Sequence, residues 1–268
     1  MIDQRKKLQQ LGIQPQQGQN FLNSETIIQA LVNAGEIEGK TVLEIGAGTG
    51  SITQKLKHQA DKVIALETDG KLYDYLDREV SAENVEIRRE SFLDYEIPEE
   101  VDRCVSNIPF QISSEAIEKL GKNQIQSALL VQEELADKIV AKPGDKLYNE
   151  FTVLVNYYFI PVKLQTVSSR NYYPEPEVNT AILKLYPNKQ RHGIKDEEKF
   201  FKLVKAVFTN KRKKLRNAFV DSRHILGIKK EEAKEIRDEI PESEKRVNRL
   251  EIQHLKNTLE FLEEENIL

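Results

Sequence analysis

The chain has 268 residues, of which 39% are hydrophobic and 31% are charged, with 12 glycines and 9 prolines. These values are ordinary for a folded globular protein and exclude wholesale disorder and collagen-like structure. No run approaches the ~18 apolar residues of a membrane span, and the first residues lack the apolar core of a signal peptide, so we expect a cytoplasmic protein with no membrane partner. The single cysteine, Cys104, excludes an internal disulfide, and the four histidines lack metal-ligand spacing, so we expect no metal site.

Charge is distributed unevenly along the chain. The net charge is −4, from 40 basic and 44 acidic residues. Residues 201–220 nevertheless carry seven basic side chains and no acid, whereas residues 229–268 carry 12 acids against 8 bases. The acidic tail therefore hides a basic patch, which favours a nucleic-acid contact, the alternative being a solvated helix face.

Short apolar runs alternate with amphipathic stretches over the first 140 residues. Strands are predicted at residues 41–45, 62–67, 85–89, 102–106 and 127–132. Helices are predicted near residues 24–33, 51–59, 71–80, 114–120 and 133–140. This alternation predicts an α/β fold with a mostly parallel sheet and helices on both of its faces.

The pattern changes after the turn-forming segment KPGD at residues 142–145. Strand-like runs follow at residues 151–159, 163–167 and 180–185, too close together for crossover helices, which predicts an antiparallel edge of the sheet. Beyond about residue 196 the apolar spacing is only helical. We therefore predict two domains, residues 1–187 with the sheet and residues 188–268 as a small all-α domain.

The segment VLEIGAGTG at residues 42–50 reads as a strand that ends in three alternating glycines and opens a helix. Such glycines let backbone amides approach a ligand closely. A dinucleotide-binding loop would need a glycine where Ser51 stands, so a pyrophosphate ligand is disfavoured. Glu67 ends the second strand, where a carboxylate accepts hydrogen bonds from both ribose hydroxyls. A tight turn without a ligand is the alternative, but the pair resembles class I S-adenosylmethionine-dependent methyltransferases with their Rossmann-like sheet.

The tetrapeptide NIPF at residues 107–110 follows the fourth predicted strand. The Asn107 side-chain oxygen and the Ile108 carbonyl are suited to accept the two hydrogens of an adenine amine, because Pro109 holds residue 108 extended. Phe110 offers a flat face on which an extruded base could stack. The alternative is an ordinary Asn-x-Pro turn with a core phenylalanine.

Five segments carry a closer resemblance: QNFL at 19–22, EIGAGTG at 44–50, NIPF at 107–110, YYPEPEVNTA at 172–181 and FTNKRKKLRN at 208–217. In this order, over most of the chain, they resemble the ribosomal RNA adenine N6,N6-dimethyltransferase family. The last segment, with AKPGD at 141–145, is more similar to the branch that dimethylates two adjacent adenosines near the 3′ end of small-subunit rRNA during ribosome biogenesis. The macrolide-resistance branch, which methylates large-subunit RNA, is the nearer rival.

The resemblance implies S-adenosylmethionine as cofactor, and a monomer that acts on small-subunit rRNA in an immature small subunit. The residues it implies in cofactor binding are Gln19, Asn20, Leu22, Gly46, Gly48, Glu67, Ser91, Phe92 and Asn107. The residues implied to hold the target base are Asn107, Ile108, Pro109 and Phe110. A basic helix at residues 202–216 would contact RNA phosphates through Lys202, Lys205, Lys211, Arg212, Lys213, Lys214 and Arg216.

The chain departs from the family pattern after the third predicted strand. The family usually has Gly-Asp-Ala there, and its aspartate accepts a hydrogen bond from the cofactor's adenine amine, whereas this chain reads Glu90-Ser91-Phe92. A missing carboxylate would loosen the cofactor without changing RNA binding. A weakly active or inactive rRNA-binding assembly factor therefore stays open, as does a DNA adenine methyltransferase, since a basic patch does not separate DNA from RNA.

Overall fold

The computed structural model describes residues 2–16 and 18–268, which form two compact units. The first unit contains the residues up to Ala136 together with Phe159–Pro187, and the second contains Asp137–Tyr158 together with Asn188–Leu268. The segment Asp137–Tyr158, which the sequence placed in the first predicted domain, is thus grouped with the C-terminal helices. None of the helices among the described residues combines the length and apolarity that a membrane crossing requires.

The first unit is built around strands. These are β1 (Phe21–Leu22), β2 (Thr41–Ile45), β3 (Lys62–Leu66), β4 (Val85–Arg88), β5 (Arg103–Asn107), β6 (Gln126–Gln132), β7 (Phe159–Val167), β8 (Tyr172–Tyr173) and β9 (Thr180–Pro187). Its helices are α1 (Gln4–Gln10), α2 (Glu25–Gly35), α3 (Thr53–Leu56), α4 (Gly70–Glu79) and α5 (Ser113–Lys122). Helix α6 (Glu133–Val140) contains the first point at which the chain passes between units.

The main sheet has the strand order β4-β3-β2-β5-β6-β9-β7. Strands β2 to β6 pair in parallel, whereas β9 runs antiparallel to both β6 and β7. This confirms the predicted mostly parallel sheet with an antiparallel edge. A separate two-stranded sheet joins β1 to β8, with Phe21 opposite Tyr173.

The strand order reverses direction between β2 and β5. Right-handed crossovers then place α3 and α4 on one face of the sheet and α5 on the other. The inner strands are accordingly buried on both faces, as Val42, Leu43, Val63 and Ile64 show with at most 1% of their surface exposed. In open parallel sheets the carboxyl ends of the strands at such a reversal form a crevice that binds ligands. The fold thus brings the segments after β2 and β5 together.

The second unit is helical, with α7 (Glu150–Tyr158), α8 (Glu197–Phe208), α9 (Leu215–Leu226), α10 (Lys230–Ile236) and α11 (Ile252–Glu264). The predicted strand at residues 151–159 is wrong, because α7 occupies it. The Asn149 side chain accepts from the backbone N–H of Thr152 at 3.0 Å, and the Thr152 hydroxyl accepts from the Asn149 N–H at 3.1 Å. This reciprocal cap starts a helix in a run whose β-branched and aromatic residues favour a strand.

The single basic helix predicted at residues 202–216 is also wrong. Helix α8 ends at Phe208 and α9 begins at Leu215, so the densest cations lie in a turn between them. The Thr209 hydroxyl donates to the Ala206 carbonyl at 2.7 Å, which takes up one of the last carbonyls of α8. The turn then pairs with residues 245–248 through backbone hydrogen bonds, such as Val247 N–H to the Lys213 carbonyl at 3.0 Å.

Candidate active site

A cavity of about 320 Å³ lies where the segments after β2 and β5 meet. A volume of this order suits a small-molecule cofactor. Its lining includes all the residues that the sequence assigned to cofactor or target base, namely Gln19, Asn20, Leu22, Gly46, Gly48, Glu67, Ser91, Phe92, Asn107, Ile108, Pro109 and Phe110. Both predicted sites therefore share one cavity.

The glycine turn after β2 is left-handed at Gly46 (φ 71°), Gly48 (φ 59°) and Gly50 (φ 74°). Residues with a Cβ adopt this region only at a cost. Space is also tight, because a Cβ on Gly46 would lie 3.2 Å from the Pro109 ring and one on Gly50 would lie 2.8 Å from the Leu76 side chain in α4. The glycines thus let the turn after β2 approach both Pro109 and helix α4.

Glu67 is held at the cavity by backbone donors. One of its oxygens accepts from the Gly48 N–H at 2.8 Å, and the other accepts from the Thr68 and Asp69 N–H groups at 2.8 and 2.9 Å. Burial raises the pKa of the Glu67 carboxyl, although these three donors oppose the shift. A carboxylate offers about four acceptor positions, so about one remains for a ligand. An acceptor position is thus left for the ribose contact that the sequence predicts for Glu67.

Asn107 ends β5 with its two amide atoms in different situations. Its Nδ2 donates to the Asn20 carbonyl at 3.0 Å, which fixes the orientation of the amide. Its Oδ1 is buried and has no hydrogen-bond partner among residues 2–16 and 18–268. A buried acceptor without a donor costs about 1–3 kcal/mol. The site thus keeps an oriented acceptor for a donor that a ligand would bring.

The residues after Asn107 form a short 3-10 helix, Phe110–Ile112, which starts behind Pro109. The Pro109 carbonyl accepts from the Ile112 N–H at 3.2 Å and from the Ser113 hydroxyl at 3.1 Å. Ile108 is buried, whereas Phe110 is only half-buried at the cavity. Phe110 therefore has a ring surface available for stacking.

The cavity is also lined by the segment that departs from the family pattern. The Ser91 hydroxyl oxygen accepts from the Leu93 N–H at 3.3 Å, so part of its acceptor capacity is used locally. Phe92 is 2% exposed, with the Lys119 ammonium 5.1 Å from its ring centre. Glu90 also lines the cavity and supplies a carboxylate one residue before the expected position.

A buried carboxyl lies in β2, two residues before Gly46. Glu44 is 1% exposed and accepts from the Thr53 hydroxyl at 2.6 Å. Burial, reinforced by the neighbouring Glu67, raises the pKa of Glu44 to about 8. Glu44 is thus largely protonated at neutral pH.

The predicted RNA-contacting cations of the second unit differ in their pairing. Lys213 pairs with Asp221 at 2.6 Å, Lys214 with Glu244 at 2.5 Å, and Arg216 with Asp238 and Glu244. The Lys211 ammonium donates to the Tyr148 carbonyl at 2.9 Å, and that of Lys202 to the Leu226 carbonyl at 3.4 Å. Lys205 and Arg212 are exposed and form no ion pair with a described residue. These two are the cations most available to phosphate.

Several residues that line the cavity were not predicted from the sequence to belong to the site. They are Gln4, Gln16, Gly18, Thr49, Ser51, Glu90 and Gln111. Thr49 and Ser51 belong to the glycine turn itself, and Gln111 directly follows NIPF, so proximity to a motif could have indicated them. Gln4 lies in a polar helix far from any motif, and no sequence signal points to it.

Residues 11–260 match the family described as ribosomal RNA adenine dimethylase. The chain belongs to this family. Its membership makes the chain an S-adenosylmethionine-dependent methyltransferase of ribosomal RNA, and confirms the predicted class of enzyme and cofactor. The residues at the cavity fit that cofactor, because a glycine turn, a buried carboxylate and an unpartnered acceptor surround a space of suitable size.

Individual relatives agree with the family assignment. The chain is 38% identical to a probable ribosomal RNA small subunit methyltransferase A of Methanopyrus kandleri, over 86% of this chain and 85% of that protein. Its structure is similar to a dimethyladenosine transferase from Plasmodium falciparum, with a TM-score of 0.83, 25% identity and coverage of 92% and 98% of the two chains. It shares the fold of the 23S rRNA methyltransferase ErmE, with a TM-score of 0.68, 21% identity and coverage of 91% and 99%.

Proposed function

We propose that this protein dimethylates the N6 atoms of two adjacent adenosines near the 3′ end of small-subunit rRNA, within an immature small subunit. The observation that carries the chemistry is the oriented, unpartnered Oδ1 of Asn107, together with the half-buried Phe110 at the same cavity. The identity of the RNA is supported by relatives named as small-subunit enzymes, such as those of Methanopyrus kandleri at 38% identity and Thermococcus sibiricus at 37% identity.

The adenine amine is a poor nucleophile because its lone pair is delocalised into the ring. In the proposed reaction, Asn107 Oδ1 and the Ile108 carbonyl accept its two hydrogens, which favours the tetrahedral nitrogen and stabilises its developing positive charge. Phe110 stacks on the extruded base and holds its N6 atom in line with the methyl group to be transferred. When bound, S-adenosylmethionine would supply the methyl group from its positively charged sulfur, and the S–CH3 bond would break to leave the neutral thioether S-adenosylhomocysteine. The methylated nitrogen then loses one proton to solvent and can react once more.

The test is methyl transfer from labelled S-adenosylmethionine to four separate acceptors: immature small subunits that lack this methylation, naked small-subunit RNA, large-subunit RNA and DNA. Digestion and mass spectrometry identify the modified nucleoside. We expect N6,N6-dimethyladenosine at two adjacent positions in the immature subunits. The variant Asn107→Ala serves as the inactive control. Preferred labelling of large-subunit RNA or DNA would instead support one of the rival substrates.

A second candidate is a binding factor that checks subunit assembly and methylates slowly. The neutral Ser91 at the cavity, in the position where the family usually has an aspartate, favours it. Binding of immature small subunits without detectable methyl transfer, at saturating S-adenosylmethionine, would support this candidate over the enzyme.

A further inference from the structure

One buried side chain of helix α1, that of Gln4, lines the cavity. Gln4 is 1% exposed, although glutamine usually lies at the surface. Its Nε2 donates to the Leu22 carbonyl at 2.9 Å and to the Ser51 hydroxyl at 2.8 Å, and its Oε1 accepts from the Thr49 hydroxyl at 2.8 Å. Gln4 therefore joins β1 to the glycine turn.

The directions of these hydrogen bonds follow from the chemistry of the groups. The Thr49 hydroxyl donates to Gln4 Oε1, and the Ser51 hydroxyl oxygen accepts from Gln4 Nε2. The two hydroxyl oxygens lie 3.2 Å apart, so Ser51 donates to Thr49. The three side chains thus close a ring of hydrogen bonds in which every member donates and accepts. Such buried, fully satisfied networks favour one conformation.

The ring brackets Gly50, whose φ of 74° only glycine adopts readily. A second contact from the same helix acts on the same turn, because the Lys7 ammonium donates to the Thr49 carbonyl at 2.7 Å. Two residues of α1, Gln4 and Lys7, therefore hydrogen-bond to the glycine turn. These bonds add to the one that the Gly48 N–H donates to Glu67.

Both amide hydrogens of Gln4 are already used within the protein. The side chain consequently has no donor left for a ligand, although it lines the cavity. Its effect on a bound cofactor must pass through the residues that it holds, Thr49, Ser51 and Leu22.

We propose that Gln4 is a positioning residue of the cofactor site, which fixes the glycine turn and β1 in the conformation that binds S-adenosylmethionine. This inference rests on the proposed cofactor site. Without Gln4 the turn would still form, but it would sample other conformations, and the cofactor would bind less tightly because it would have to order the turn.

The experiment is calorimetric titration of the full chain with S-adenosylmethionine, together with thermal unfolding. In Gln4→Leu, which keeps a similar volume, we expect affinity to fall at least tenfold. Gln9→Leu is the matched control, since Gln9 is exposed on the same helix, and its affinity should equal that of the unaltered protein. Affinity for immature small subunits should be the same in all three proteins.

The partner side of the ring provides variants that are less disruptive to the fold. Thr49→Val and Ser51→Ala should each weaken cofactor binding. Gln4→Leu combined with Thr49→Val should weaken it by less than the sum of the two single changes, because both remove the bond between Gln4 and Thr49. A Gln4→Leu protein that is less stable but binds S-adenosylmethionine with unchanged affinity overturns the inference, as do fully additive effects in the double variant. Failure of the unaltered protein to bind the cofactor would overturn the proposed cofactor site as well.

Discussion

The buried carboxyl of Glu44 predicts a stability that falls as the pH rises. Its pKa is about 8 in the folded protein, against a reference value of 4.5 for an exposed glutamate. Between these two values the folded chain keeps a proton that the unfolded chain releases, so each pH unit favours unfolding by about 1.4 kcal/mol. Between the two pKa values the free energy of unfolding falls by about 5 kcal/mol in total, and about 3 kcal/mol of this is already lost at pH 7.

The variant Glu44→Gln removes this titration. Glutamine has nearly the same shape, and its Oε1 can still accept from the Thr53 hydroxyl, which lies 2.6 Å from Glu44. We expect the unaltered protein and the variant to have similar stability near pH 5 and to diverge as the pH rises, with the variant more stable by about 3 kcal/mol at neutral pH. Above about pH 8 the difference in stability should become constant, because Glu44 of the unaltered protein is then ionised in both the folded and the unfolded state.

Urea unfolding followed by circular dichroism, from about pH 5 to about pH 9, measures the effect. Glu38→Gln is the matched control, because Glu38 is an exposed glutamate in the same unit. Its stability curve should run parallel to that of the unaltered protein. Parallel curves for Glu44→Gln as well would refute the reasoning, since they would mean that Glu44 is ionised in the folded state from acid pH upwards.

Four further predictions concern ligands. Asn107→Ala should lower the rate of methyl transfer by about 10²–10³ in single-turnover assays at saturating S-adenosylmethionine, because its Oδ1 acts on the amine. Glu67→Ala should weaken cofactor binding in calorimetry by about 1.5–3 kcal/mol, the worth of a charged acceptor; an unchanged affinity would contradict the assignment. Neutralising Arg212 and Lys205 should flatten the plot of log RNA affinity against log salt by roughly 0.7–0.9 per lost phosphate contact. Ser91→Asp should tighten S-adenosylmethionine about fivefold without changing RNA affinity, since a charged acceptor exceeds a neutral one by about 1 kcal/mol.

The parallel part of the fold and the cavity were predictable because their signals are local. Glycines after β2, a carboxylate after β3 and NIPF after β5 each follow a buried strand, and parallel strands bring their carboxyl ends to one edge. The order β3-β2-β5 makes these three strands neighbours, so the segments meet at that edge.

The errors arise where distant contacts decide the structure. The run at α7 has the composition of a strand, but its Asn149 cap and its packing against later aromatic residues make it a helix. The basic segment after Phe208 turns because its backbone pairs with residues 245–248. Gln4 could not be predicted, since its role depends on Leu22, Thr49 and Ser51, which the fold alone brings to it.

The interleaving of the two units has a consequence for synthesis on the ribosome. Helix α7 belongs to the second unit, yet it emerges before the last strands of the first. Its Tyr157 and Tyr158 rings pack against Phe200 and Phe201, with ring centres 5.1–5.7 Å apart. At a translation rate of about 5–20 residues per second, Phe200 and Phe201 are synthesised several seconds after these tyrosines. A nascent chain that has completed its sheet therefore still displays an aromatic surface, so the stage most exposed to chaperones and aggregation falls late in translation.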